Sequence, residues 1–192
     1  MLIATAVYVL QTVFEFFAMV ALMRFYAQAF RASFRNPLAT FMAALTDWAV
    51  KPLRRVIPGV MGLDWASFIA AWLALVLLNF IIVLMVNASA LTQATFWPGL
   101  IVVALIRLLP LSVYLLMGVI FVQVILSWVN PHHPIGPFFD ALARPFLRPL
   151  RRLIPPIGGV DLSPFVLLIV LQVILMLPIP LLEKHAQRLI AG

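Results

Sequence analysis

The sequence contains no cysteine and few charged residues. Without cysteine among its 192 residues, disulfide bonds and thiolate metal sites are excluded. Charged residues make up 10% of the chain and hydrophobic residues 65%, whereas an average globular domain is about a quarter charged. The core of a soluble domain of this length is too small to bury so much apolar surface. The composition therefore predicts a membrane protein.

Acidic residues are scarce, and basic residues are missing from the N-terminal end. Six Asp and Glu residues stand against 13 Lys and Arg residues, which gives a net charge of +7. The positive charges are clustered, which favours contact with anionic lipid headgroups and predicts no direct nucleic-acid partner. No basic residue precedes Arg24, and the apolar run before it is longer than the core of a secretory signal. We expect this run to stay attached as a membrane span.

The usual catalytic motifs are also missing. The chain has no Walker loop, dinucleotide-binding glycine pattern, nucleophile elbow or zinc-protease signature. We therefore predict a protein that is not an enzyme, with no catalytic residue, no cofactor and no metal site.

One heptapeptide occurs twice. Residues 52–58 read Pro-Leu-Arg-Arg-Val-Ile-Pro, and residues 149–155 read Pro-Leu-Arg-Arg-Leu-Ile-Pro. The same offset of 97 aligns Asp64 with Asp161, and residues 34–68 share 13 identities in 35 gapless pairs with the second copy. This pattern predicts an internal duplication, with repeat 1 in residues 1–97 and repeat 2 in residues 98–192.

Four apolar stretches are long enough to cross a bilayer as helices. They are residues 2–23, 66–88, 107–129 and 164–182. We predict an all-α membrane protein whose four transmembrane helices form two tandem, parallel helical-hairpin repeats. Because each repeat contains two spans, the copies should sit the same way up, related by an axis along the membrane normal.

Charge sets the predicted orientation. The loops at 24–65 and 130–163 are basic, whereas the loop at about 89–100 carries no charge. Basic loops remain in the cytoplasm. Both termini are therefore expected outside, with the two basic loops on the cytoplasmic side.

The two basic loops are themselves rich in apolar residues. Phe41, Leu45, Trp48 and Leu53 recur near helical spacing in the first loop, and Phe138, Leu142, Phe146 and Leu150 do so in the second. Each loop is interpreted as an amphipathic helix on the inner leaflet. Pro52 and Pro149 should end or kink these helices. The basic residues expected at headgroup level are Lys51, Arg54, Arg55, Arg148, Arg151 and Arg152.

These basic residues have three interpretations. They could only set topology, they could bind a specific lipid or protein partner, or they could handle a substrate. The near-identity of the two heptapeptides favours a specific role, since any basic residue satisfies the positive-inside rule.

Asp64 and Asp161 each precede the second span of a repeat. They could meet and share a proton or a cation. Alternatively, each could cap its helix and pair with an arginine of its own repeat, because each follows the nearer arginine by nine residues.

Polar residues within the spans are further candidates. Glu15, Gln123 and Gln172 fall at similar predicted depth, so we expect Glu15 to hydrogen-bond to one of the glutamines. That cluster would be either a structural clasp or a proton or cation path. Arg107 should reach the outer headgroups from the end of its span. Ala66, Ala70 and Ala74 form a small-residue face that could meet another span or another subunit.

Residues 126–131 and 148–164, which contain Leu-Ser-Trp and Arg-Pro-Leu-Arg-Arg-Leu-Ile-Pro-Pro-Ile-Gly-Gly-Val-Asp-Leu-Ser-Pro, resemble the YggT family. Plastid relatives of this family are the YlmG-type proteins. The resemblance covers nearly the whole chain and implies a multi-pass protein of the bacterial cytoplasmic (inner) membrane, without supplying a biochemical activity. Repeat 1 departs from the motif at Arg31, at 59–62 and at 65–67, so repeat 2 is expected to perform its role more fully.

Two functional hypotheses follow. The resemblance links the chain to osmotic stress, ion homeostasis and cell division. The first hypothesis is a membrane organiser that binds anionic lipid and a cytoplasmic protein partner. The alternative is a small channel or transport accessory in osmotic adaptation, with Glu15 in the path. Four spans are few for enclosing a pore, so a channel would require a homo-oligomer.

Overall fold

The computed structural model describes residues 1–92, 96–156 and 161–191, with side chains as far as residue 185. Helices account for most of this part of the chain, and it contains no β-strand. The helices are α1 (Leu2–Ala29), α2 (Pro37–Val56), α3 (Trp65–Val86), α4 (Phe96–Val129), α5 (Gly136–Leu153), α6 (Ser163–Met176) and α7 (Pro178–Ala191), with a short 3-10 helix at Ala88–Thr92.

Four helical stretches are long and apolar enough to cross a membrane. They are α1, α3, α4 and the stretch Ser163–His185, which includes α6 and the start of α7. The predicted all-α, multi-pass membrane fold is therefore confirmed. The fourth stretch is interrupted at Leu177, because Pro178 lacks an N–H group and disfavours helical geometry at the residue before it.

The two hairpins are built on the same plan. In the first, α1 packs along α3, and α2 contacts both helices. In the second, α4 packs along α6 and α7, and α5 contacts α4 and α6. In each hairpin, the short helix that carries the arginine pair therefore packs against both spans.

The contact between the hairpins is not symmetric. Helix α1 contacts α5, whereas α2 and α4 do not contact each other. A twofold axis along the membrane normal would produce both contacts, so the predicted axis does not describe this packing. One contact on this side is between Phe146 of α5 and Phe30, the C-cap of α1, whose rings meet edge-on at 5.8 Å. The counterpart of Phe146 at the offset of 97 is Ala49, which has no ring to make such a contact.

The first proline of each heptapeptide does not end a helix. Helix α2 continues through Pro52 to Val56, and α5 continues through Pro149 to Leu153. The alternative that these prolines end the helices is wrong. Both helices stop just before the second proline of the heptapeptide, where the preceding residue is forced into extended geometry. Each arginine pair consequently lies in the last helical turn, where positive charge complements the helix dipole.

The two short helices present different faces to the outside. The predicted apolar stripe of α5 packs inside the protein, where Phe138 and Leu142 are 1% and 3% exposed. It meets Leu167 and Leu171 of α6 in the core, so it does not lie open to lipid. On α2, by contrast, Trp48 is 72% exposed. Only the first short helix therefore offers its aromatic residues to the surroundings.

Candidate functional site

Each arginine pair is joined to the aspartate of its own repeat. Arg54 donates from Nε to Oδ1 of Asp64 at 3.1 Å and from Nη2 to Oδ2. Arg151 donates from Nε to Oδ2 of Asp161 at 2.7 Å. In both copies the partner is the first arginine of the pair, ten residues before the aspartate, rather than the nearer second arginine.

The same aspartates lie just before the first residue of the following spans, α3 and α6. Asp64 is the N-cap of α3 and accepts hydrogen bonds from the backbone N–H and the hydroxyl of Ser67. Asp161 accepts from the backbone N–H of Ser163, the first residue of α6, at 2.9 Å. Helices α3 and α6 do not contact each other, so the structure does not bring the two carboxylates together. Asp64 therefore caps its helix and pairs with an arginine, whereas Asp161 pairs with an arginine but precedes Leu162, the N-cap of α6.

The electrostatics of both carboxylates favour the charged form. Burial alone would raise the pKa of Asp64, but hydrogen bonds from Arg54 and Ser67 outweigh it and hold this pKa below its ordinary value. At Asp161 burial is likewise outweighed by hydrogen bonds from Ser163 and Arg151, so its pKa is also lowered. Both groups are therefore fixed anions at neutral pH.

A tight turn returns the chain from α2 to α3. Met61 and Gly62 have positive φ angles of 57° and 77°, and Gln28 of α1 donates to the Gly62 carbonyl at 3.3 Å. Glycine suits Gly62 because it adopts this left-handed conformation without steric cost. The turn thus places Asp64 within reach of Arg54. In the second copy the corresponding turn includes residues 157–160, which lie outside the described residues.

Arg24 joins Arg54 and Asp64 of repeat 1 in one cluster. In the sequence it stands out only as one charge of the basic loop at 24–65. Its side chain is nearly buried, and Nη1 donates to Thr46 at 2.9 Å and to Asp47 at 2.6 Å. Its Nε also lies 3.5 Å from Oδ2 of Asp64. Arg24 therefore ties α1 to α2 and to the start of α3.

A signal for this cluster exists in the repeat alignment. At the offset of 97, the counterparts of Arg24, Thr46 and Asp47 are Phe121, Ala143 and Arg144. All three polar partners are therefore absent from the equivalent positions of the second repeat. Within the described residues, Asp64 therefore has more side-chain partners than Asp161.

The second arginine of each pair has a different environment. Arg55 and Arg152 are exposed, and neither forms an ion pair within the described part of the chain. On α5, Arg144 and Arg148 precede Arg152 at steps of four residues, and all three are exposed. They form one stripe along the helix, opposite its buried apolar face. Lys51 of α2 is exposed as well and pairs with Asp47 at 2.9 Å.

The predicted polar cluster within the spans does not form. Glu15 hydrogen-bonds to neither glutamine: Gln123 donates instead to Asp140 of α5 at 3.1 Å, and Gln172 is exposed. The prediction is wrong because it rests only on the depth of the three residues in the membrane. Side chains at similar depth meet only if their helix faces point toward each other, and Gln123 points toward the start of α5.

Two further expectations about the spans are corrected. Helix α4 begins at Phe96, so Arg107 lies within the helix rather than at its end, and its Nη1 is buried without a hydrogen-bond partner among the described residues. It therefore does not extend this nitrogen to the headgroups. The alanine face of α3 packs within its own repeat, because Ala66 and Ala70 meet Val50 and Leu53 of α2.

Comparison with known proteins places the chain in a family. The CCB3/YggT family matches residues 3–85 and 102–182. Protein YggT of Escherichia coli K12 is 36% identical over 190 residues, which cover 98% of this chain and 96% of that protein. An uncharacterised protein of Vibrio alginolyticus, in the proC 3′ region, is 36% identical over 166 residues, covering 86% of this chain and 88% of that protein.

A further relative and the solved structures complete the comparison. An uncharacterised protein of Pseudomonas aeruginosa is 34% identical over 176 residues, which cover 91% of this chain and 88% of that protein. No solved structure matches the chain. The two matched segments correspond to the two hairpins, and the relatives align along nearly their whole length. The chain therefore belongs to the CCB3/YggT family of multi-pass membrane proteins.

Proposed function

We propose that this protein is a non-enzymatic membrane organiser that binds anionic lipid headgroups through α2 and docks an acidic cytoplasmic partner on α5. One observation carries the proposal. In each copy the first arginine is fixed by an aspartate, whereas the second is exposed and forms no ion pair among the described residues. The ion pair of the first arginine stabilises the last helical turn. The second arginine lies in the same turn with its guanidinium group exposed, so it can bind a ligand.

The chemistry of these arginines suits phosphate. A guanidinium group presents a planar set of donors that matches phosphate oxygens in a bidentate manner. Each basic residue near an anionic surface contributes about 1 kcal/mol of membrane attraction. Because the helix already orders the backbone of these residues, binding costs only the conformational entropy of their side chains.

The two short helices support different ligands. Helix α2 combines the exposed Trp48 with Lys51 and Arg55, a set of residues typical of the membrane interface. None of the phenylalanines of α5 is exposed, whereas Arg144, Arg148 and Arg152 are, together with Asp140, Arg151 and Leu153. A basic surface without exposed aromatic anchors favours an acidic protein segment over the hydrocarbon boundary. Orientation follows the positive-inside rule, which puts both helices in the cytoplasm.

The transport hypothesis has less support. It depended on a polar cluster around Glu15, and Glu15 contacts neither predicted glutamine by a hydrogen bond.

Lipid enrichment tests the first half of the proposal. The protein is reconstituted in vesicles of equal phosphatidylglycerol and phosphatidylcholine, extracted with its surrounding lipid by a copolymer, and the lipid is analysed. We expect phosphatidylglycerol enrichment that Lys51→Gln with Arg55→Gln lowers to the bulk ratio. Lys184→Gln removes an equivalent exposed charge far from α2 and serves as the control. Unchanged enrichment in the double variant would contradict the proposal.

Photocrosslinking tests the second half. A crosslinking residue at position 148 should give a discrete adduct in cells, and Arg144→Gln with Arg152→Gln should weaken it several-fold. The same residue at position 89, on the opposite end of the hairpin, is the control. An adduct that is insensitive to the two substitutions would reject α5 as the docking surface.

A further inference from the structure

An apolar groove runs along the surface of the first hairpin. Its volume is about 360 Å³. Val13 and Phe17 of α1 form one wall, Ala70 and Ala74 of α3 form the floor, and Trp48 of α2 closes one end. The groove lies between two helices that are long enough to cross the membrane, so the medium outside it is lipid.

The lining leaves no partner for water. Every residue along the groove is apolar apart from the Trp48 indole, and that N–H donates to the carbonyl of Leu45 at 2.8 Å. One water occupies roughly 30 Å³ of liquid and needs two to four polar partners. The groove has the volume for several waters and offers them no hydrogen bonds, so its natural content is hydrocarbon.

The closed end of the groove lies beside positive charge. The rings of Trp48 and Phe17 are tilted by 43° with their centroids 5.3 Å apart, so α2 contacts α1 at this end of the groove. Lys51 and Arg55 follow Trp48 by three and seven residues, spacings that put them on the same side of α2. Both are exposed. A chain lying in the groove would bring its headgroup to these two residues.

From this arrangement we infer that the groove binds one acyl chain of an anionic phospholipid, with its phosphate held by Lys51 and Arg55. This inference rests on the proposed function and gives the lipid a specific site in repeat 1. The complementary charge at the mouth selects an anionic headgroup, and the apolar groove selects the chain.

Repeat 2 has larger residues at three of the positions that line the groove in repeat 1. At the offset of 97, Ala49, Ala70 and Ala74 become Phe146, Leu167 and Leu171. The last two are buried in the core of the second hairpin. Repeat 1 therefore has smaller residues than repeat 2 at three positions that line the groove.

Native mass spectrometry of the purified full chain in detergent tests the site. Titrated with phosphatidylglycerol, the protein should retain one lipid, and Ala49→Phe should reduce its occupancy at least tenfold. Ala70→Leu with Ala74→Leu should do the same. Since that double substitution enters the packed helix contact, the single change at the more accessible Ala49 keeps the test valid if the double variant does not fold. Ala4→Leu, which adds bulk at an exposed position of α1, is the control.

The headgroup is tested separately. Lys51→Gln with Arg55→Gln should abolish the preference for phosphatidylglycerol over phosphatidylcholine, while the binding of phosphatidylcholine stays the same. Lipid retention that Ala49→Phe leaves unchanged would overturn the groove site. A dimer that Ala49→Phe dissociates would also overturn it, in favour of a contact between two copies.

The two proposals fail in different ways. If Ala49→Phe has no effect and the charge substitutions still remove phosphatidylglycerol enrichment, the groove site is wrong and the headgroup function stands. If enrichment survives the charge substitutions, the headgroup function itself is wrong.

Discussion

The hydroxyl of Tyr26 on α1 donates a hydrogen bond of 2.9 Å to Oγ of Ser112 on α4. Within the described residues, this is the only hydrogen bond between side chains of the two repeats. Ser112 in turn donates to the Leu108 carbonyl at 2.7 Å. The pair lines an apolar cavity of about 240 Å³ together with Phe30 and Phe146. Because a hydrogen bond requires a specific geometry, this bond helps to set the relative position of α1 and α4 more precisely than non-directional apolar contacts do.

Removing this hydrogen bond should cost little, but the two substitutions should be coupled. Interhelical hydrogen bonds in membrane proteins contribute about 0.6 kcal/mol on average and at most about 1.7 kcal/mol. We expect Tyr26→Phe and Ser112→Ala each to lower the midpoint of thermal unfolding in detergent, and the double variant to lower it by less than the sum. Additive effects in this double-mutant cycle would show that the hydroxyls do not interact.

The two aspartate clamps should differ in strength. Asp64 is 3% exposed and pairs with Arg54 and Arg24, whereas Asp161 is 38% exposed and, in the part of the chain that the structure describes, pairs with Arg151 alone. Breaking a buried pair costs about 3–5 kcal/mol because a charge is left unpaired, whereas an exposed pair contributes about 0–1 kcal/mol. Asp64→Asn should therefore lower thermal stability well beyond its matched partner Asp161→Asn. Equal losses would contradict the difference in burial.

The Arg24 cluster can be converted to the pattern of repeat 2. Arg24→Phe alone leaves Thr46 and Asp47 without their buried partner and should destabilise the protein by about 3 kcal/mol. Adding Thr46→Ala and Asp47→Arg, the residues at the equivalent positions of repeat 2, removes the two polar groups of α2 that have lost Arg24. The triple variant should therefore be more stable than the single variant, by about 1 kcal/mol or more. A triple variant less stable than Arg24→Phe would show that the three residues do not act as a unit.

Parts of this structure follow from the sequence, and parts do not. The spans could be predicted because a bilayer requires about twenty apolar residues in a helix, and the Arg–Asp pairing because both partners recur at one offset. The choice of Arg54 over Arg55 could not, because it depends on where α2 ends: the helix continues through Pro52. The burial of the apolar face of α5 could not be predicted either, because an apolar helical face packs equally well against lipid and against protein. The Arg24 cluster required comparing the two repeats position by position.

Single-cysteine labelling can test the predicted orientation directly, because the chain contains no cysteine of its own. Arg55→Cys and Arg152→Cys place a thiol at exposed positions on the two short helices, and Ser89→Cys places one at the other end of the first hairpin. In intact cells, a membrane-impermeant maleimide should label the thiol at position 89 and leave those at 55 and 152 unlabelled until the membrane is opened. Labelling of 55 and 152 from opposite sides would refute the parallel arrangement of the repeats.

Acid should weaken the fold through its aspartates. The pKa of Asp47 is lowered by hydrogen bonds from Lys51 and Arg24, and the pKa values of Asp64 and Asp161 are lowered as described above. A carboxyl whose pKa is depressed in the folded state adds stability that is fully present above its ordinary value of 3.8 and is lost as the pH falls through the depressed value. The unfolding midpoint, followed by tryptophan fluorescence, should therefore fall as the pH drops below 3.8. Asp64→Asn should be less stable than the wild type at neutral pH and lose less stability on acidification, because its amide does not titrate. Parallel curves for the two proteins from about pH 6 to about pH 2 would show that Asp64 is not the group responsible.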